Sequence, residues 1–595
     1  MICLELLAGF LGFLTALSPA RATEPPKVDW QPWTDQIFER ARAEKKLVLL
    51  DLGTAWCHWC HVMDEQTYAD PAVVGLLRKK YLAVRVDADS RPDLANRYED
   101  YGWPATIIFK WDGSELAKRQ GYLPPKAMAG MLEAFIEDPS PGPSVEPEPT
   151  ITAASKAGLS PGQIAAAQKR IADAYDSVRG GWGEVHHYLN WNAIELCLLE
   201  GAAGDARMES MARQTLNAGV KLLDPVWGGV YQYSTDGDWD HPHFEKLMPF
   251  QAENMRVFAL AGVLWNEPQW LERGETIHTY LREFLTAPEG AFYSSQDADL
   301  IQGEHGGEYF ALDDTERRKR GIPKIDKHLY ARENGLAVTG LCALYAANGN
   351  VDALAEARRA ADWVVSNRSI PGGGFRHDAH DATGPFPGDT LAMGRAFLAL
   401  YTVTAERSWL ARAEQAALFI SSHFVSGTGF ATAWQTPGAP FQSKPQVDEN
   451  VMLVRFANLL YHHTGDDRFR TMAEHAMRYL AAPAVVENQG FGASGILLAD
   501  RALTIEPPHI TIVGSKSDAS GKALFATALH GGALTARIEW FDPREGPLPH
   551  ADVQYPQMGE AAAFLCANGS CSAPVQTPAA LSKHLEGLWK RRDHQ

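Results

Sequence analysis

Leu47-Val48-Leu49-Leu50-Asp51-Leu52-Gly53-Thr54-Ala55-Trp56-Cys57-His58-Trp59-Cys60 runs an apolar segment straight into two cysteines three positions apart. The apolar run predicts a buried strand, and the Cys-x-x-Cys that follows predicts the mouth of a helix. A helix N-terminus carries unpaired N–H groups and partial positive charge, which stabilise a thiolate. The thiolate is the nucleophile of disulfide exchange, so Cys57 is read as an accessible attacker. Cys60, one turn deeper, is placed to resolve the mixed disulfide.

The neighbours extend this reading. Asp51 lies inside the apolar strand, where a carboxyl is costly unless it exchanges a proton, and a relay to Cys60 is the role expected of it. His58, when protonated, favours the thiolate and makes the disulfide more oxidising. Tyr101-Gly102-Trp103-Pro104-Ala105-Thr106 leads into the strand-like Ile107-Ile108-Phe109. Its proline is expected in the cis form beside the cysteines, where it exposes the preceding backbone to a bound peptide. The candidate catalytic set is Cys57, Cys60, Asp51, Pro104, Trp56 and His58, with Trp103 as a substrate contact.

The order Asp51, Trp56, Cys57, Cys60, Pro104, an Asp112-Gly113 turn, Gly121 and a last helix near 124–137 resembles a complete thioredoxin domain. The Cys-His-Trp-Cys-His version has Val28-Asp29-Trp30 and Trp33 upstream and Val86-Asp87-Ala88-Asp89 downstream. In these features the chain is similar, over about 28–590, to the YyaL-type, spermatogenesis-associated thioredoxin-like family. The resemblance implies an α/β thioredoxin-like domain at 28–138 joined to an all-α (α/α) six-hairpin toroid of the glycosidase type at 151–500. Between them, the proline-rich stretch 139–150 reads as an extended spacer.

Composition is that of ordinary globular material: 595 residues, 45% hydrophobic and 22% charged. A net charge of -18 with no basic run argues against a nucleic-acid partner. Leu6 to Leu17 is an apolar segment too short to span a bilayer comfortably, and Ala20-Arg21-Ala22 follows as a small-x-small cleavage pattern, although no Lys or Arg precedes the segment. Residues 1–22 therefore read as a secretory signal peptide, and the mature chain as periplasmic or secreted without stable membrane insertion. Cleavage removes Cys3 and leaves six cysteines. Cys566 and Cys571 are close enough to bridge across a turn, and that stretch resembles the family's C-terminal cysteine pair. A structural disulfide and an internal redox partner for Cys57 both fit. Cys197 and Cys342 lie in apolar helical stretches and read as buried, inert thiols.

After the spacer, helical periodicity recurs in 162–175, 191–203, 206–223, 250–265, 269–285, 333–347, 351–367, 389–404, 408–423, 448–463 and 467–481. Six glycine-aromatic marks punctuate it: at 180–183, 228–231, 290–293, 372–375, 427–430 and 490–492. Their spacing fits one helical hairpin each, and six hairpins close into a toroid or stack as a straight solenoid. The same marks also serve as plain helix C-caps with a packing aromatic.

The loops after the second and third marks hold the toroid's main polar cluster, with Asp240, His243, Glu245, Asp297 and Asp299 as candidate substrate contacts. Paired carboxylates suit glycosidic chemistry, and histidines suit proton movement at a sugar carbon. Trp227, Trp239, Tyr231, Tyr233 and Phe292 are candidates to stack on sugar faces. The bland alternative is that such loops simply cap helices and tie turns. Relatives usually continue His-Phe-Glu-Lys with Met-Leu-Tyr-Asp, whereas here Leu247-Met248-Pro249-Phe250 follows, so the expected acid is missing.

The segment 501–595 reads as a small α/β unit, strand, helix, strand. Its Gly514-Ser515-Lys516-Ser517 lacks the spacing of a phosphate loop. Cys57, His58, Cys60 and His61 are all zinc-ligand types, but four ligands within five residues cannot easily surround one tetrahedral ion, so neither metal nor other cofactor is expected. The reading that uses the most residues together is an exported thiol–disulfide oxidoreductase with a disulfide-bearing client or redox partner, whose toroid binds carbohydrate or protein. The alternative is a sugar-processing enzyme, epimerase- or glycosidase-like, with an accessory thioredoxin domain.

Overall fold

The computed structural model describes residues 27–590 apart from 35, 147–148, 435–440, 533, 552, 557 and 568–569. The expected signal peptide, with Cys3, lies outside the described residues. Among these residues no helix is long and apolar enough to cross a membrane.

The first unit runs α1 (Ile37–Glu44), β1 (Leu47–Gly53), α2 (His58–Gln66), α3 (Pro71–Lys80), β2 (Tyr81–Asp87), α4 (Pro92–Arg97), β3 (Ala105–Phe109), β4 (Glu115–Gln120) and α5 (Pro125–Glu137). Its sheet has the order β2-β1-β3-β4, with β1 parallel to β2 and antiparallel to β3. This is the thioredoxin-like arrangement. β1 is central and covered on both faces, which is why it reads as a continuous apolar run. The described part of the proline-rich stretch turns at Pro143–Ser144 and is tied to the first unit: Gly142 N–H donates to the Leu116 carbonyl and Ser144 Oγ accepts from Lys118 N–H, so it lies against β4.

The helical unit begins with α6 (Pro161–Asp173), α7 (Trp191–Ala202), α8 (Ala206–Gly219), α9 (Met248–Trp265) and α10 (Pro268–Tyr280). Short α11 (Gly307–Phe310) and α12 (Asp314–Arg320) precede α13 (Ala331–Asn348), α14 (Val351–Arg368), α15 (Pro387–Thr404) and α16 (Arg407–His423). It ends with α17 (Val447–Thr464), α18 (Asp467–Leu480), α19 (Pro483–Asn488) and α20 (Ala493–Thr504). Helices α7, α9, α13, α15, α17 and α20 pack in sequence as an inner ring, and α20 returns to α7. Each has an outer partner, and the partner of α20 is α6, so the two ends of the unit close on each other. The ring is therefore a toroid and not a solenoid. Backbones approach closely around it: a Cβ on Gly335 of α13 would lie 2.6 Å from the Ala392 carbonyl carbon of α15.

The glycine-aromatic marks have a mechanical role in this ring. The backbone N–H groups of Val230, Phe292, Phe375 and Phe430 donate to the side chains of Gln251, Asn334, Thr390 and Asn450. Those four acceptors all occupy the fourth residue of the inner helix that follows. Each of these four marks thus ties the end of one hairpin to the first turn of the next inner helix. Trp227, Trp239, Tyr231 and Phe292 are buried in the toroid core and offer no face to a sugar, which corrects the stacking expected of them.

Short strands sit at the toroid mouth: β5 (Tyr233–Ser234) with β6 (Pro242–His243), β7 (Lys246–Leu247) with β8 (Ser295–Gln296) and β9 (Ile325–Asp326), and β10 (Ser369–Ile370) with β11 (Gly374–Phe375). The C-terminal unit holds β12 (His509–Val513), α21 (Ala519–Gly532), β13 (Arg537–Phe541), β14 (Ala562–Ala567), β15 (Ser570–Cys571) and α22 (Pro578–Lys590). Its sheet order is β13-β12-β14-β15, with β12 parallel to β13 and antiparallel to β14. That repeats the order and strand directions of the first sheet. The loop after β12, where the first unit carries its cysteines, has Gly514-Ser515-Lys516-Ser517 instead. A disulfide joins Cys566 to Cys571 across the β14–β15 pair, and Cys197 and Cys342 are free and buried.

Candidate functional site: a disulfide under the toroid mouth

β1 delivers Trp56-Cys57 to the start of α2. Cys57 is the N-cap, its Sγ accepting from the Cys60 N–H at 3.1 Å, and the two cysteines form a disulfide with Cα atoms 5.3 Å apart. The Trp103–Pro104 peptide is cis, as expected, and Trp103 packs on the pair. Asp51 is a buried residue of β1 and accepts from Tyr68 Oη at 3.1 Å and Arg85 Nε at 2.7 Å. Burial nevertheless holds its carboxyl above the ordinary aspartate range, with Arg85 opposing.

The surroundings of Cys57 differ from the sequence expectation. Cys57 is only 4% exposed, closed in by Trp56 and Trp103 from its own unit and by Leu247 and Phe250 from the toroid. Cys60 is the less buried residue of the pair, next to the exposed Trp59. The sequence placed an accessible thiolate at a helix tip, and the fold supplies the tip but lays a second domain over it.

Histidines and carboxylates fasten the two units together. His58 Nδ1 lies 2.9 Å from both carboxylate oxygens of Asp299, and His61 Nε2 lies 3.1 Å from Asp297 Oδ2. His377, stacked on Tyr330, bonds through Nδ1 to Asp389 and through Nε2 to the Asp89 carbonyl, while Trp56 Nε1 donates to Asp89 Oδ2 at 2.7 Å. Burial disfavours the charged form of His61, but its bond to Asp297 and the charges of Asp297, Asp299 and Asp64 outweigh this and raise its pKa.

The candidate substrate contacts therefore separate. Asp297 and Asp299 belong to the histidines of the Cys-His-Trp-Cys-His segment. His243 stacks on Tyr233 and stands 3.9 Å from the buried Glu245. Asp240 lies apart, exposed and paired with Lys221. A pocket that no sequence signal marked opens between the units, about 370 Å³, bounded by Trp56, Asp89, Trp103, Trp191, Arg332 and Glu449 among others. Its residues come from segments scattered between positions 56 and 455, so no local pattern announces them.

Two acids of this pocket have pKa values raised well above the ordinary carboxylate range. Burial, with repulsion from Asp87, pushes Asp89 up to about 8. Burial pushes Glu449 to about 8 as well, Arg332 offsetting part of it. An acid with a raised folded pKa binds more protons folded than unfolded, so its contribution to stability falls as pH rises from about 4 towards 8. His61, with its raised pKa, acts in the same direction, because its pairing is lost as it deprotonates. Thermal unfolding is expected to shift down by ~3–6 °C between pH 6 and pH 9, and Asp89→Asn is expected to flatten part of that slope. Calorimetric scans across the range check both.

Residues 18–137 match the Thioredox_DsbH family model, described as a protein of unknown function, DUF255. The chain is 27% identical to spermatogenesis-associated protein 20 of Mus musculus over 311 residues, 46% of this chain and 39% of that protein. The Homo sapiens protein of the same name is also 27% identical, over 316 residues. The chain thus spans about two fifths of the length of these relatives. A short stretch is 35% identical over 89 residues to thiol:disulfide interchange protein DsbD 2 of Pseudomonas aeruginosa, 14% of this chain and 15% of that one. Among solved structures, a sugar epimerase from a ruminal bacterium is similar at a TM-score of 0.42 and 13% identity, covering 53% of this chain and 86% of that one. The thioredoxin-like unit with its cysteine pair supports a redox role.

Proposed function

We propose that the chain is an exported thiol–disulfide oxidoreductase whose toroid controls access to the Cys57–Cys60 pair. In the reduced state the Cys57 thiolate attacks a client disulfide, forming a mixed disulfide and releasing one client thiolate. Cys60 then attacks the Cys57 sulfur, closing the Cys57–Cys60 bond and freeing the second client thiolate. Two electrons pass to the client, and the reverse sequence oxidises a client dithiol.

The observation that carries this reading is a cysteine pair at a helix N-cap beside a proline loop, in a thioredoxin-like sheet. The Cys566–Cys571 disulfide supports export, because such bonds persist in oxidising compartments. Burial of Cys57 adds a condition: a small disulfide needs little opening to reach the pair, whereas a protein client reaches it only when the toroid mouth moves aside. Cys60→Ser leaves the mixed disulfide unresolved, so covalent client adducts are expected to accumulate through Cys57 and to vanish on treatment with dithiothreitol. A Cys60→Ser protein that traps nothing beyond the level of the Cys57→Ser control overturns the reading.

A second reading has its own observation. The pocket between the units sets protonatable Asp89 and Glu449 beside Trp56, Trp103 and Trp191, a lining that suits a sugar better than the exposed Asp240 loop does. In this reading the toroid binds carbohydrate in that pocket.

A further inference from the structure

His61, Asp297 and Asp299 place three ligand atoms within 4.8 Å of one another, all three residues buried. His61 comes from α2, one residue past Cys60, and the two aspartates from the loop after β8. Metal–ligand bonds of about 2.0–2.2 Å at tetrahedral angles set ligand atoms roughly 3.3 Å apart, close to the 3.1 Å between His61 Nε2 and Asp297 Oδ2. Asp297 and Asp299 are each 2% exposed, and their ion-pair partners are His61 and His58. Two buried carboxylates side by side require positive charge. Two histidinium ions supply it, and so does one divalent cation with both rings neutral.

We propose that His61, Asp297 and Asp299 bind a divalent transition-metal ion, zinc being the chemical type that one imidazole and two carboxylates suit, with a fourth position open. His58 acts on the ion through Asp299, whose carboxylate it holds in place, as carboxylates on metals are commonly oriented by a neighbour. The Asp299 carboxylate also accepts from the Gly303 N–H at 2.9 Å. The exposed Glu65 carboxylate lies beside Gly303 and adds negative charge near the site. The ligand set joins the two units, so a bound ion pins the toroid mouth over the disulfide. That consequence, though not the binding itself, rests on the oxidoreductase reading.

The test uses the full chain in its oxidised state, with Cys57 and Cys60 tied up in their disulfide, titrated with Zn²⁺ in competition with a chromophoric chelator. One equivalent is expected per chain, with affinity reduced at least tenfold in Asp297→Asn and in His61→Ala, each checked for native circular dichroism and melting. The Cys57→Ser/Cys60→Ser protein is expected to keep wild-type affinity. If Asp297→Asn does not fold, His61→Ala decides. Absence of stoichiometric binding, equal affinity in the folded variants, or loss of binding in the cysteine variant overturns the proposal. Exchange activity measured in the presence of chelator tests the oxidoreductase reading separately, so the two fail independently.

Discussion

Cys57→Ser is expected to abolish disulfide exchange, with turnover in an insulin-reduction assay falling to the uncatalysed level, while melting and any sugar binding in the pocket between the units stay as in wild type. The size of the effect follows from the chemistry, because Cys57 is the sulfur that bonds the client and a hydroxyl cannot replace a thiolate as nucleophile or leaving group in the exchange. The fold should tolerate the change: Cys57 is an N-cap, and serine is a strong N-cap residue that accepts the same Cys60 N–H. Glu449→Gln serves as the control on the other side of the pocket, removing one acid and leaving the cysteine pair intact. Residual exchange in Cys57→Ser above the level of the Cys57→Ser/Cys60→Ser protein would place the attacking sulfur at Cys60, the less buried residue of the two.

What was legible in the sequence was local. The apolar β1 run, the cysteine spacing and Trp103-Pro104 lie within 57 positions of one another, and each signals its conformation through its own residues. The toroid's inner and outer helices were legible through periodicity, except α20, which follows directly on a Gly-Phe-Gly turn. The four anchoring side chains at Gln251, Asn334, Thr390 and Asn450 were not, because their common position shows only once the helix starts are known. His58–Asp299 and His61–Asp297 span 241 and 236 positions. Nothing in the Ser294–Asp299 loop distinguishes acids that fasten a second domain from acids that face a substrate. The likeness between the first and last sheets was hidden for a similar reason, since it resides in strand order and direction and not in shared residues.

Those two pairs also set the second large effect. Replacing Asp297 and Asp299 together by asparagine removes both buried charges that hold the Cys-His-Trp-Cys-His segment to the toroid. Each 1.4 kcal/mol taken from the docked state multiplies the open fraction about tenfold, and breaking a buried pair costs on the order of 3–5 kcal/mol. Even with most of that recovered by solvation, exchange with a protein disulfide is expected to quicken by ~10–100-fold. Exchange with a small disulfide, which needs far less opening to reach the pair, should change by less than about threefold. The direct measurement is therefore the ratio of protein-disulfide to small-disulfide exchange rates in wild type and in Asp297→Asn/Asp299→Asn. A covered pair predicts a low ratio in wild type that rises at least tenfold in the variant. A wild-type ratio already equal to that of the variant would contradict the claim that the toroid guards Cys57.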